Sequence, residues 1–135
     1  MENLIDAYKG TKFMVFDLPI VIEIDKKCRE LDELLNQQHA NEWAYITAWN
    51  PFSKTLPDDE NDRRHLALTE LLQGFTYFEG EGVGSDASWK PEKSLLILSI
   101  PKTKAIEIGK IFEQNAIVCG RIDEPAELIC MFDFE

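Results

Sequence analysis

Leu95-Leu96-Ile97-Leu98, flanked by Ser94 and by Ser99-Ile100, constrains this chain more than any other stretch. Its apolar side chains do not alternate with polar ones, so a strand here buries both faces and lies centrally in a sheet. Such a strand needs apolar layers beside it, supplied by helices on one or both faces.

Residues 11–17 and 20–25 read as two strands turning at Leu18-Pro19, with Val21, Ile22 and Ile24 supplying β-branched side chains. Asp25 suits a helix cap, and Cys28, Leu31 and Leu35 follow on one face at helical spacing. Residues 43–49 form a third strand, broken by Asn50-Pro51-Phe52-Ser53. Pro57, then Asp58, Asp59 and Glu60, opens a helix with acids in its first turn; Leu68, Leu71, Leu72 and Phe75 mark its buried stripe. Residues 76–79 read as a short strand and 80–92 as a loop rich in Gly and acids. After the 94–100 strand, Pro101 starts a third helix with Ala105, Ile108 and Phe112 inward. Residues 116–119 and 127–132 close the chain as a hairpin. The order is ββαβαββαββ, which predicts an α+β fold with a mixed or mainly antiparallel sheet, residues 1–135 forming one domain.

Composition excludes several functional classes. With 25 acidic against 14 basic residues the formal net charge is −11, which disfavours nucleic acid and anionic membranes as partners. Residues 1–6 show no basic region followed by an apolar run, so no secretory signal is expected. No apolar run approaches the roughly 20 residues of a membrane span. The three cysteines, Cys28, Cys119 and Cys130, are widely spaced and match no zinc pattern, so no metal or cofactor is expected and a cytoplasmic location is.

Polar residues in unusual places carry the functional reading. Thr47-Ala48-Trp49-Asn50-Pro51-Phe52-Ser53 is a strand ending in a turn that leads to a helix, a corner where pockets commonly form. Turn chemistry suffices for Asn50 or Ser53 taken alone. Stepping back from Leu68 by helical spacing, however, reaches Arg64 and Asn61, so the buried stripe continues as polar residues that need partners. The two readings, a ligand site and a structural network, stand side by side. Asp58, Asp59, Glu60 and Asp62 oppose a phosphate at this helix start, leaving a carboxylate or a neutral polar ligand on Arg64. Trp89 can cover the site, with Glu92 near Ser94 as a candidate base, and Gln114-Asn115 lies at a helix end. Ser53 and His65 are the available serine–histidine pair, but no GxSxG elbow frames the serine and no catalytic residue is assigned.

The same residues carry a resemblance. Thr47-Ala48-Trp49-Asn50-Pro51-Phe52-Ser53, then Asn61, Trp89, Pro91-Glu92, Ser94 and Gln114-Asn115-Ala116, resemble a family of small bacterial proteins of unknown function, across about residues 22–128. Its signature is a T-A-x-N-P-x-S loop, a W-x-E-x-S segment and a Q-x-A motif. The resemblance implies a bacterial cytoplasmic protein with no activity, ligand or cofactor to carry over, and groups Thr47, Asn50, Ser53, Asn61, Trp89, Glu92, Ser94 and Gln114. The leading expectation is a polar small-molecule site at the corner, with Arg64 holding a carboxylate, Asn50 and Asn61 orienting it and Trp89 covering it. The alternative is an acidic module neutralising a basic protein partner, through the run at 123–135. Third is a small enzyme using Glu92 or His65 as base. The acid itself points nowhere in particular: residues 1–45, 46–90 and 91–135 carry −4, −4 and −3.

Overall fold

The strand built on Leu95-Leu96-Ile97-Leu98 lies at the middle of the sheet, as its unbroken apolar run requires. The computed structural model describes residues 2–86 and 89–131, with side chains from Leu4 onward. Among these are strands β1 (Lys12–Val15), β2 (Val21–Ile22), β3 (Glu42–Thr47), β4 (Thr76–Val83), β5 (Glu92–Leu98), β6 (Ala116–Arg121) and β7 (Glu127–Cys130). Their order is β2-β1-β4-β5-β3-β6-β7, and every neighbouring pair runs antiparallel. The helices among the described residues are α1 (Glu2–Lys9), α2 (Arg29–Gln37), α3 (Asp58–Leu71) and α4 (Lys102–Ile111).

Alternation along the central strands sends side chains into two cores. On one face Trp43, Tyr45, Leu96, Leu98 and Val118 join Phe13, Val15 and Ile22 beneath Leu31, Leu34 and Leu35 of α2, with Tyr8 of α1 packed alongside. On the other, Ala44, Ile46, Leu95, Ile97 and Ile117 meet Leu68 of α3 and Ala105 and Ile108 of α4. Helices thus cover both faces, and the fold is α+β. The sheet curls: Ile24, just past β2, forms a parallel bridge with Ala126, just before β7. Asp25 N–H donates to Ala126 O at 2.8 Å, and Ala126 N–H to Lys26 O at 3.0 Å. Among the described residues no helix is long and apolar enough to cross a membrane.

Three differences from the sequence reading have physical causes. A fourth helix, α1, precedes the first strand; eight residues hold barely two turns, too few for a periodic pattern to stand out. Asp25 does not cap α2: it sits at φ 70° in the link to Ala126, and α2 starts one residue after Cys28, which makes no side-chain capping bond. The span 80–92 is not all loop, because β4 runs on through Gly80 and Gly82 to Val83 and Glu92 already belongs to β5. The closing strand ends at Cys130, and the expected continuation to Phe132 lies outside the described residues.

Gly80 is a strand residue because nothing larger fits. The Tyr45 hydroxyl donates to Met14 O at 2.6 Å across this point. A Cβ on Gly80 would lie 2.0 Å from that carbonyl oxygen and 2.9 Å from the Tyr45 hydroxyl. A glycine inside a strand here marks a close approach, not a break. Gly80→Ala should therefore lower stability by about 2–3 kcal/mol through overpacking. Tyr45→Phe, which removes only the hydrogen bond, should cost about 1 kcal/mol. Urea denaturation of both variants checks the order; equal effects would mean that the hydroxyl, not the space, sets the requirement.

Candidate functional site

The corner begins where β3 ends. Thr47 secures that end, its hydroxyl donating to Lys93 O at 2.6 Å and accepting from Trp49 N–H at 3.0 Å. Ala48 and Trp49 are buried, and Pro51–Ser53 forms a single 3-10 turn. Asn50, Phe52 and Ser53 all take positive φ, at 50°, 51° and 61°. Asparagine tolerates that region; phenylalanine and serine do so at about 1–2 kcal/mol each. Neighbouring groups hold them there. Phe52 N–H donates to Glu113 O at 2.7 Å, Ser53 N–H to Asn50 O at 2.9 Å, and Asn115 Nδ2 to Ser53 Oγ at 3.0 Å.

Asn50 and Asn61 lock the corner to α3. Asn50 N–H donates to Asn61 Oδ1 at 2.9 Å, while Asn61 Nδ2 donates to Asn50 Oδ1 at 2.8 Å and to Leu56 O at 3.3 Å. The Asn50 side-chain carbonyl, Oδ1, also accepts from Leu56 N–H at 3.1 Å, and the side-chain Nδ2 donates to Glu92 Oε2 at 2.7 Å. Asn61 is 1% exposed, so these bonds are shielded from water and costly to break. Burial pushes the Glu92 carboxyl above the usual glutamate range, against the opposing pull of the Asn50 hydrogen bond. Tyr8 lies beside this carboxyl. Its hydroxyl is pushed up to about 12 by burial and by the Glu92 charge, while a Ser53 hydrogen bond opposes the shift. Sequence reasoning missed Tyr8; its spacing from Leu4 and Ile5 is the only available signal.

Arg64 faces inward but is committed. Nε donates to Ala48 O at 2.7 Å and Nη2 to Phe112 O at 2.5 Å, while Nη1 lies 3.6 Å from Glu113. Gln114 works beside it, Nε2 donating to Trp49 O at 3.0 Å and Phe112 O at 3.2 Å. Both side chains pin the end of α4 to the strand corner. Ser94 is buried and returns its hydroxyl to Glu92 O at 3.0 Å. Ser53 and His65 are not joined: Ser53 takes Asn115, and His65 Nε2 lies 2.7 Å from Glu79 Oε1.

Beside the Asn50–Asn61 pair lies an open cleft of about 350 Å³. Trp49 and Asn61, with the half-buried Asn50, form its inner side; Asp58, Trp89 and Lys90 form its exposed rim. Lys90 is hydrogen-bonded to Asp58, and Lys93 pairs with Asp62 at 3.0 Å, so acids at the start of α3 hold the segment carrying Trp89. Trp89 is 58% exposed. Trp49 is 5% exposed, yet its indole N–H is buried without an acceptor among the described residues. Of the nine residues expected at a site, Asn50, Asn61 and Trp89 line the cleft. Glu92 touches it through Asn50, whereas Thr47, Ser53, Arg64, Ser94 and Gln114 brace the backbone around it. Trp49 and Lys90 come into the site only through the structure: an inward indole N–H and a rim ammonium have no periodic signature. No group of three or more potential metal-ligating residues occurs among the described residues.

A family model for proteins of unknown function, DUF3293, matches residues 46–117, more than half of the chain. The chain belongs to the DUF3293 family. The DUF3293 match takes in the corner, α3, β4, β5 and α4, and so every residue of the expected site; α1, α2, β1, β2 and β7 fall outside it. No curated protein and no solved structure matches the chain.

The raised Glu92 carboxyl makes stability depend on pH. Between the ordinary glutamate value and its raised folded value the native state holds more protons than the unfolded one. Its contribution is therefore present in acid and lost as pH rises through that window. Glu92→Gln keeps an acceptor for Asn50 without the charge. Wild-type stability in urea should accordingly fall relative to Glu92→Gln as pH rises from about 4 to about 7; a gap that stays constant across this range would contradict the shift.

Proposed function

We propose that the chain is a bacterial cytoplasmic protein that binds a small polar ligand in the corner cleft. One observation carries the reading: the cleft is walled by Trp49, whose buried indole N–H has no acceptor among the described residues, and is rimmed by the exposed Trp89 indole. A buried donor left unpaired costs about 1–3 kcal/mol, and such a group calls for an explanation. A ligand acceptor that reaches the Trp49 N–H as the cleft wall adjusts around it supplies one. The strained turn at Phe52 and Ser53 supports the same reading, since backbone strain collects at functional sites. The cleft's size suits a metabolite-sized molecule.

The ligand's chemistry follows from the groups left over. Arg64 is spent on carbonyl oxygens, so Lys90, released from Asp58, is the cation for a carboxylate. Trp89 offers a flat apolar surface. A planar ring bearing an acceptor and a carboxylate matches these three groups, and binding requires no reaction step. The three free cysteines, one of them the buried Cys119 with its thiol pushed up to about 11 by burial, favour a reducing compartment.

Titration calorimetry against a panel of ring-bearing carboxylic acids tests the assignment. A bound member should lose at least about tenfold in affinity in Trp49→Phe, which lacks the N–H, and in Trp89→Ala, about the value of one good contact. Circular dichroism should show both variants folded. If no member binds, or if both variants bind as wild type does, the reading fails.

A further inference from the structure

We propose that the uncovered face of β1 and β2 docks a basic, amphipathic segment of a protein partner. The core that α3 and α4 form with the sheet is built on β3, β5 and β6, and among the described residues it includes no side chain of β1 or β2. Along β1 and β2 burial alternates: Phe13, Val15 and Ile22 enter the core under α2, and Lys12, Met14 and Val21 point the other way. Met14 and Val21 are direct partners across the two strands, with Phe16 next on the same face and Leu18 in the turn. These four apolar side chains are 36–45% exposed. Single exposed apolar residues need no account, but a group of them on a strand pair and its turn marks a contact surface.

Charge around the set selects the occupant. Glu81 is the cross-strand partner of Met14, Asp17 follows Phe16, and Phe16 N–H donates to the main chain of Glu79. Asp17 and Glu81 form no salt bridge among the described residues, and Glu79 has only His65. Lys12 is the basic residue on the same face, and Lys93 beside Glu81 is held by Asp62. The surface is thus apolar with an acidic border. A second copy would bring another −11 and the same carboxylates against it, which repel. A segment with aliphatic residues on one side and Lys or Arg beside them satisfies both features. This surface is distinct from the acidic run at 123–135, in which Glu127 pairs with Lys102.

Fluorescence anisotropy with a labelled helical peptide, leucines on one face and lysines on the other, tests this. A scrambled peptide of the same composition is the control, because an acidic protein attracts any polycation. The amphipathic peptide should bind at least tenfold more tightly than the scrambled one. Phe16→Ser and, independently, Met14→Lys should abolish that difference; both positions are exposed, so the fold survives. Asp17→Asn with Glu81→Gln should flatten the salt dependence. Equal binding of both peptides, or unchanged binding in Phe16→Ser and Met14→Lys, overturns the proposal. So does a dimer in sedimentation that Phe16→Ser dissolves, which would give the face to a second copy.

Discussion

Asn50 and Asn61 exchange hydrogen bonds, main-chain N–H to side-chain carbonyl in one direction and side chain to side chain in the other. The ring they close ties the end of β3 to the first turns of α3, with the Asn61 side almost wholly out of water. Much else hangs from it. The Asn50 carbonyl fixes Leu56, its amide fixes Glu92 at the start of β5, and the helix so placed carries Asp58 and Asp62 to Lys90 and Lys93. The cleft is the space left between these attachments. An asparagine suits position 50 on two counts: it accepts the left-handed backbone, and its amide serves three partners at once.

The two cores make such a corner sustainable. β3 and β5 are buried on both faces, so their ends are rigid anchors, and strain at Phe52 and Ser53 is held by bonds reaching from the end of α4. Arg64 and Gln114 add to this by meeting the carbonyls that the departing chain and the helix end leave open. An arginine turned inward for that purpose satisfies main-chain acceptors that would otherwise stay unpaired. The result is a stiff frame around a cleft whose exposed rim is aromatic and charged, not the amides that build it.

How far these features show in the sequence depends on what kind of signal they leave. The central strand is visible because Leu95 to Leu98 break the alternation, and α3 because Leu68 recurs with Arg64 and Asn61 at helical spacing. Periodicity states which way a side chain points and nothing about what it meets. Arg64 therefore reads as inward from the sequence, while its carbonyl partners on Ala48 and Phe112, 16 and 48 residues away, leave no trace there. Gly80 misleads for a related reason: glycine marks loops and close approaches alike, and only the Tyr45 hydroxyl across the sheet tells them apart. The first helix is too short to display a period, and the unpaired Trp49 N–H is a property of space, not of order along the chain.

The claim that the asparagine pair holds the corner is tested most directly by amide hydrogen exchange at Asn50, whose N–H has Asn61 Oδ1 as its acceptor. In wild type this amide should exchange as slowly as those of the central strands, such as Ala44. In Asn61→Ala it should exchange at least about a hundredfold faster, a local loss of roughly 3 kcal/mol, while Ala44 stays protected. Slow exchange at Asn50 in the variant would mean that the corner stands without the clasp.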